Sequence, residues 1–267
     1  MRYRTGFPPT TDVEVTTHDE FPKAADYART KIGDLARYTT RPVLHARVKL
    51  TRHRDPALQR PVVAQANLDV DGRLVRAQAQ AETAREAVDV LAARLRRRLE
   101  RIADYREARR GERAARRSQG WRHDSEPTRR PNYFNRPADE RHVIRRKSFA
   151  MVPCTVDEAA REMDLLDYDF HLFTEKGTGT ACVLYRDGAT GHRLALVAPD
   201  LVEQLSAFAL PVTISRHPLP CLTEDEAAIR LGLLGLPFLF FIDAAQGRAS
   251  VLYRRYDGHY GMITPAG

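Results

Sequence analysis

Apolar and polar residues alternate along 43–51, where Leu44, Ala46, Val48 and Leu50 interleave with His45, Arg47 and Lys49. The same holds over 62–70, where Val62, Ala64, Ala66, Leu68 and Val70 interleave with Gln65, Asn67 and Asp69. A period of two gives each strand one apolar and one polar face. Asp71-Gly72 is a two-residue hairpin signal, after which Val75, Ala77 and Ala79 resume the alternation. Val13 and Val15 predict a shorter strand before them. Ala24, Ala28, Ile32 and Leu35 recur at helical spacing between Pro22 and Pro42, predicting a helix over about 22–38. Val88, Leu91, Leu95, Leu99 and Ile102 form the buried stripe of a second helix over about 83–109. The order β-α-β-β-β-α over residues 1–110 predicts an α+β domain: a four-stranded sheet with two helices on one face.

Periodicity then stops. Residues 111–141 are rich in Arg, Gly, Ser, Asn and Pro and read as a basic linker. Its Trp121, Tyr133 and Phe134, interleaved with arginines, could stack on RNA or be incidental to a solvated tether. Beyond it the chain repeats itself. Thr155-Val-Asp-Glu-Ala-Ala, Leu165-Leu166, Phe170, Phe173 and Val183-Leu-Tyr-Arg186 recur 68 residues later as Thr223-Glu-Asp-Glu-Ala-Ala, Leu233-Leu234, Phe238, Phe241 and Val251-Leu-Tyr-Arg254. Two tandem α+β modules, 142–200 and 211–267, are expected, each with an opening strand, a helix and short strands. Each helix starts at a threonine with a glutamate three positions on, the pattern of a capping box. Units this small bury little surface alone and need a partner.

Charge is segregated. Residues 1–110 hold 23 Lys and Arg against 15 Asp and Glu, while 142–267 hold 12 against 15. A basic half joined to a mildly acidic half points to a polyanionic partner for the first, with nucleic acid the natural choice. Cys154, Cys182 and Cys221 are too scattered for a disulfide framework or a metal site and read as small buried residues. The nine histidines are dispersed, with no phosphate loop, nucleophile elbow or metal-ligand spacing, and Asp69 and Asp71 suit turn chemistry better than acid/base catalysis. No enzyme, cofactor or metal is expected. No apolar run reaches the length of a membrane span, and MRYRTGFPPTT lacks a signal-peptide core, so a soluble cytoplasmic protein is expected.

Lys31-Ile-Gly-Asp-Leu-Ala-Arg37, Glu82-Thr-Ala-Arg-Glu-Ala-Val-Asp89, Ile144-Arg-Arg-Lys-Ser-Phe149 and Val251-Leu-Tyr-Arg-Arg-Tyr-Asp-Gly-His-Tyr-Gly-Met-Ile-Thr-Pro265 carry a resemblance to the long ribosome hibernation promoting factors. It covers nearly the whole chain. It implies that the first domain lies in the mRNA channel of the small ribosomal subunit, on 16S rRNA across the decoding region, and that the C-terminal domain is a homodimerisation domain joining two idle ribosomes. This chain departs from the pattern by carrying that domain twice. The first copy keeps the basic opening strand and loses the Asp-Gly-His-Tyr-Gly ending; the second keeps the ending but has Ile214-Ser-Arg-His-Pro in place of the strand.

The expected function is therefore translational silencing by binding, with the ribosome, its small-subunit rRNA and its proteins as partners. The alternative is a nucleic-acid-binding regulator whose tandem modules recruit a protein. Lys31, Arg37, Arg85, Arg94, Arg97, Arg98 and Arg101 are the candidate RNA contacts. Arg94, Arg97 and Arg101 share a helical face at spacings of three and four. Phe170, Phe173, Val183 and Tyr185, with Phe238, Phe241, Val251 and Tyr253, are the candidate pairing residues. A short connection gives the two copies a high effective concentration for one another, so an internal pseudo-dimer, a monomeric protein and silencing of single ribosomes are expected.

Overall fold

Between Val62 and Ala81 the alternation becomes a hairpin of two nine-residue strands, β3 (Val62–Val70) and β4 (Arg73–Ala81). Asp71 and Gly72 turn it at φ of 53° and 78°, and the Asp69 carboxylate accepts the Gly72 N–H at 2.7 Å. The computed structural model describes residues 12–17, 21–39, 41–53, 58–111, 136–187, 191–255 and 257–266. It divides the chain into two units: Met1–Arg130 with the short stretch Asp164–Asp167, and Pro131–Met163 with Tyr168–Gly267. Most of the expected linker, including Trp121, Tyr133 and Phe134, lies outside the described residues.

The first unit orders its sheet β1-β2-β3-β4, with β1 (Val13–Thr17) parallel to β2 (Val43–Arg52) and the other pairs antiparallel. One face is buried under α1 (Pro22–Gly33), which tightens into a 3₁₀ turn at Asp34–Tyr38, and under α2 (Ala84–Gly111). Ala46, Ala64, Ala66, Ala77 and Ala79 on the sheet meet Ala28, Ile32, Leu91, Leu95 and Leu99 on the helices, all at most 1% exposed. Alanine on the sheet brings the helices close, and the larger helical side chains fill the gap. Thr83 caps α2, its hydroxyl accepting the Glu86 N–H at 3.2 Å.

The second unit holds two sheets. One runs β6-β7-β8-β9, from β6 (Phe170–Thr174), β7 (Ala181–Asp187), β8 (Gly191–Leu196) and β9 (Thr213–Ser215). The other runs β10-β11-β12-β13-β5, from β5 (Val143–Phe149), β10 (Cys221–Leu222), β11 (Phe238–Asp243), β12 (Arg248–Arg254) and β13 (Tyr260–Pro265). Helices α3 (Val156–Leu165) and α4 (Glu224–Leu233) each cover their own copy's core, and both capping boxes form. The Glu158 and Glu226 carboxylates accept the Thr155 and Thr223 N–H groups at 3.0 and 2.8 Å. Those backbone donors come first in holding the Glu226 and Glu158 carboxyls below the usual range.

The opening strands are exchanged. β5, from the first copy, pairs in parallel with β13 of the second, setting Arg145 beside Gly261 and Lys147 beside Ile263. β9, from the second copy, pairs in parallel with β8 of the first, setting Thr213 beside Arg193 and Ser215 beside Ala195. The two registers are equivalent under the 68-residue repeat. Residues 142–200 and 211–267 therefore do not form separate modules as their contiguous spans predict, because each sheet is completed by a strand of the other copy.

The connection at 197–212 is packed into the first copy. Leu210 is buried, and Leu205, Phe208 and Val212 join the same cluster as Met163 and Phe173. Asp157 accepts the Ala209 and Leu210 N–H groups at 3.0 and 2.9 Å. Fully buried Glu175 accepts those of Gly177 and Thr178, both at 2.8 Å, and of Ser206 at 3.1 Å. Burial raises the Glu175 carboxyl, but these donors outweigh it and keep the group below its ordinary range. Gly177 sits where a Cβ would lie 2.2 Å from the Gln204 carbonyl oxygen and 2.6 Å from the Ser206 nitrogen. Both are backbone atoms that cannot turn aside. Gly177→Ala is expected to destabilise the second unit by about 1–3 kcal/mol, read as a lower thermal midpoint for this unit with the first unit unchanged.

Candidate nucleic-acid interface

The outer surface of α1 and α2 carries two tyrosines gripped by cations. Tyr27 on α1 donates its hydroxyl proton to Asp89 of α2 at 2.6 Å, and Lys31 Nζ lies 3.1 Å from the same carboxylate. Arg85 stands over the Tyr27 ring at 4.8 Å from its centroid, and Lys31 at 5.4 Å. One turn past the end of α1, Tyr38 is flanked by Arg96 of α2 at 4.4 Å and by Arg37 at 4.9 Å. Arg85 and Arg96 stand eleven residues apart on α2, about 16 Å along the helix. Because Tyr27 meets Asp89 and Tyr38 meets Arg96, the helices run side by side in one direction, and the two cation clusters fall on one strip.

Within the strip one carboxylate is shared among several cations. Burial raises the Asp89 carboxyl, but hydrogen bonds from Tyr27 and Lys31 and the charge of Arg85 outweigh it and hold the group below its usual range. The hydrogen bond to Asp89 in turn raises the Lys31 ammonium. One carboxylate thus offsets part of the charge and anchors the cations, leaving a net positive surface. A guanidinium already held over an aromatic face loses less rotamer freedom on meeting a phosphate.

Of the seven candidate RNA contacts, Lys31, Arg37, Arg85, Arg97 and Arg101 are exposed. Arg94 and Arg98 turn the other way. Arg94 donates to the Gln78 carbonyl and Arg98 to the Arg76 carbonyl, both on β4. Arg98 is only 8% exposed. The reason is helical: 94 and 98 follow the buried positions 91 and 95 by three residues each, so their side chains run along the sheet side of α2. The three-and-four spacing that joins Arg94 to Arg97 and Arg101 therefore does not make one solvent-facing row. Sequence reasoning missed Arg96, whose spacing to Glu100 marks an ordinary helical ion pair, formed here at 2.7 Å. It also missed Tyr27 and Tyr38. The available signal was a tyrosine on the first helix matched by an arginine on the second, twice.

In the second unit the two sheets meet face to face across a pseudo-two-fold axis. Phe170 and Phe238, equivalent in the two copies, stand against each other at 4.6 Å between centroids. Phe170 also meets Tyr253 at 5.9 Å, and Phe238 meets Tyr185 at 5.3 Å, so each contact occurs in both senses. Leu172, Val183, Phe240, Ala249 and Val251 fill the centre of this cluster and are buried. Of the eight candidate pairing residues, Phe173 and Phe241 lie elsewhere. Each falls an odd number of residues from Phe170 or Phe238, on the opposite face of its strand, and is buried under its own helix. Leu172 and Phe240 hold the places expected for them. Gly261 lets the Tyr253 ring lie flat on β13, since a Cβ there would fall 2.4 Å from the ring.

Two of the cysteines among the described residues are held as thiols. Burial first, then nearby carboxylates, pushes the Cys154 thiol up to about 11, and burial pushes Cys182 up to about 12, so both stay protonated. Among the described residues no three His, Cys, Asp or Glu side chains are grouped to hold a metal ion, and no helix is long and apolar enough to cross a membrane.

Residues 13–107 match the family described as sigma 54 modulation protein / S30EA ribosomal protein. Its C-terminal domain, sigma 54 modulation/S30EA ribosomal protein C terminus, matches twice, over 138–194 and 212–262. The dormancy associated translation inhibitor of Mycobacterium tuberculosis is 45% identical over 131 residues, 47% of this chain and 48% of that protein. The ribosome hibernation promotion factor of Bacillus subtilis is 31% identical over 75 residues, 28% of this chain and 39% of that protein. The chain thus spans at most about half the length of these curated relatives. Among solved structures, the Protein Y N-terminal domain of Thermus thermophilus is 21% identical with a TM-score of 0.29, covering 35% of this chain and 99% of that one.

Proposed function

Because the chain belongs to the sigma 54 modulation / S30EA ribosomal protein family, we propose that it is a ribosome hibernation factor, a binding protein rather than an enzyme. The first unit lies on small-subunit 16S rRNA in the mRNA channel at the decoding region, excludes mRNA and tRNA, and stabilises an idle ribosome in the cytoplasm. The observation that carries this reading is the strip of Lys31, Arg85, Arg37 and Arg96 gripping Tyr27 and Tyr38, a preorganised surface for phosphates. Affinity of such a basic strip comes chiefly from phosphate contacts and falls steeply with salt. The names of the relatives, a dormancy associated translation inhibitor and ribosome hibernation promotion factors, support the same role.

The second unit acts on ribosomes singly. Its pairing surface is already covered by the chain's own second copy, and the exchanged β5 and β9 tie the copies together. The protein is then a monomer. Pure protein added to vacant ribosomes at low salt should co-sediment with the single-ribosome peak and produce no ribosome-dimer peak. Protein left at the top of the gradient would end the ribosome reading. A prominent dimer peak would end the single-ribosome reading.

A further inference from the structure

An acid sits inside the cationic strip. Asp89 lies one turn past Arg85 and two turns before Arg96 on the same face of α2, so it stands between the two cation clusters. Its carboxylate is used unevenly. The Tyr27 hydroxyl donates to Oδ1 at 2.6 Å, and Lys31 Nζ lies 3.1 Å from that same oxygen. Among the described residues Oδ2 accepts no hydrogen bond, and the side chain is 44% exposed. Burial raises this carboxyl, but the donors and cations around it bring it below its usual range, so Oδ2 is a charged acceptor open to solvent.

A strip of cations alone would take any polyanion. An ionised carboxylate in its path repels phosphate oxygens and is satisfied only by a donor. On a nucleic-acid backbone the phosphates are acceptors and the ribose 2′-hydroxyl is a donor, which deoxyribose lacks. We propose that Asp89 reads the ribose 2′-hydroxyl through Oδ2 and so makes the strip selective for RNA. The inference rests on the strip being an RNA-binding surface, as proposed above. Phosphates settle on Lys31 and Arg85, and the hydroxyl of an adjoining sugar donates to Oδ2. The bonds from Tyr27 and Lys31 to Oδ1 already fix the carboxylate, so little rotamer freedom is lost when the hydroxyl arrives. Its charge makes the new hydrogen bond stronger than one to a neutral acceptor. If Asp89 only anchored Lys31 and Tyr27, the strip would be blind to the sugar.

The test titrates the full chain with a fluorescein-labelled RNA hairpin and with the same hairpin built from 2′-fluoro sugars, which keep the A-form shape and the phosphates but cannot donate. The unsubstituted chain should bind the hydroxyl form about five-fold more tightly, a comparison that needs no variant to fold. In Asp89→Ala the ratio should fall to about one. Affinity for the fluoro hairpin should hold or rise in that variant, because an anion has left the strip and Lys31 is released. A ratio near unity in the unsubstituted chain, or a preference that survives Asp89→Ala, would overturn the proposal and leave the phosphate strip standing. Failure to bind either hairpin would remove the RNA-binding strip itself, and the role of Asp89 with it.

Discussion

A chain carrying Lys31→Ala, Arg85→Ala and Arg96→Ala should bind ribosomes on the order of 10²-fold more weakly at physiological salt. The diagnostic quantity is the slope of log affinity against log salt. Each phosphate contact contributes roughly one unit to it, so the triple substitution should flatten the slope by about three. The fold should survive, because these side chains lie on the helical surface and the half-exposed Lys31–Asp89 pair is screened by solvent. Arg98→Ala makes the contrasting variant. Arg98 is buried and donates to the part-buried Arg76 carbonyl, so its loss leaves that acceptor without this donor, costing about 1–3 kcal/mol of stability. The salt slope of what remains folded should not change. If Arg98→Ala flattened the slope as the triple substitution does, the assignment of phosphate contacts to the outer strip would be wrong.

Arg98 also shows where sequence reading stops. The buried stripe of α2 was legible because Val88, Leu91, Leu95 and Leu99 differ sharply in polarity from their neighbours. The direction of an arginine on the flank of that stripe was not, since a long side chain can reach solvent or fold back to a strand carbonyl with the same local pattern. Strands were legible for a similar reason. Val62 to Val70 alternate without a break, and Asp71-Gly72 suits a turn of positive φ. Strand partners in the second unit were not. Val143–Phe149 has the same residues and period whether it completes its own copy's sheet or the other's, and only the three-dimensional closure of both copies selects the exchange. The error over Phe173 and Phe241 differs in kind, because strict alternation from Phe170 and Phe238 already places them on the opposite face.

The exchange has a mechanical consequence that Phe240→Asp should expose. Phe240 lies at the centre of the contact between the sheets and is 7% exposed. Removing the ring costs about 3–5 kcal/mol, and the carboxylate left in its place adds the cost of a buried charge without a partner. Against a typical domain stability of about 5–15 kcal/mol, that should unfold the second unit. The loss should not stay in the sheet that carries the substitution. β5, from the first copy, belongs to that sheet, while β9, from the second copy, closes the other, so neither sheet keeps its edge strand once the copies separate. Hydrogen exchange should therefore show protection disappearing together from residues 170–196 and 221–265. Residues 62–99 in the first unit should keep theirs. Loss confined to 221–265 would mean that the copies fold independently, and the internal pairing proposed to keep the protein monomeric would lose its physical basis.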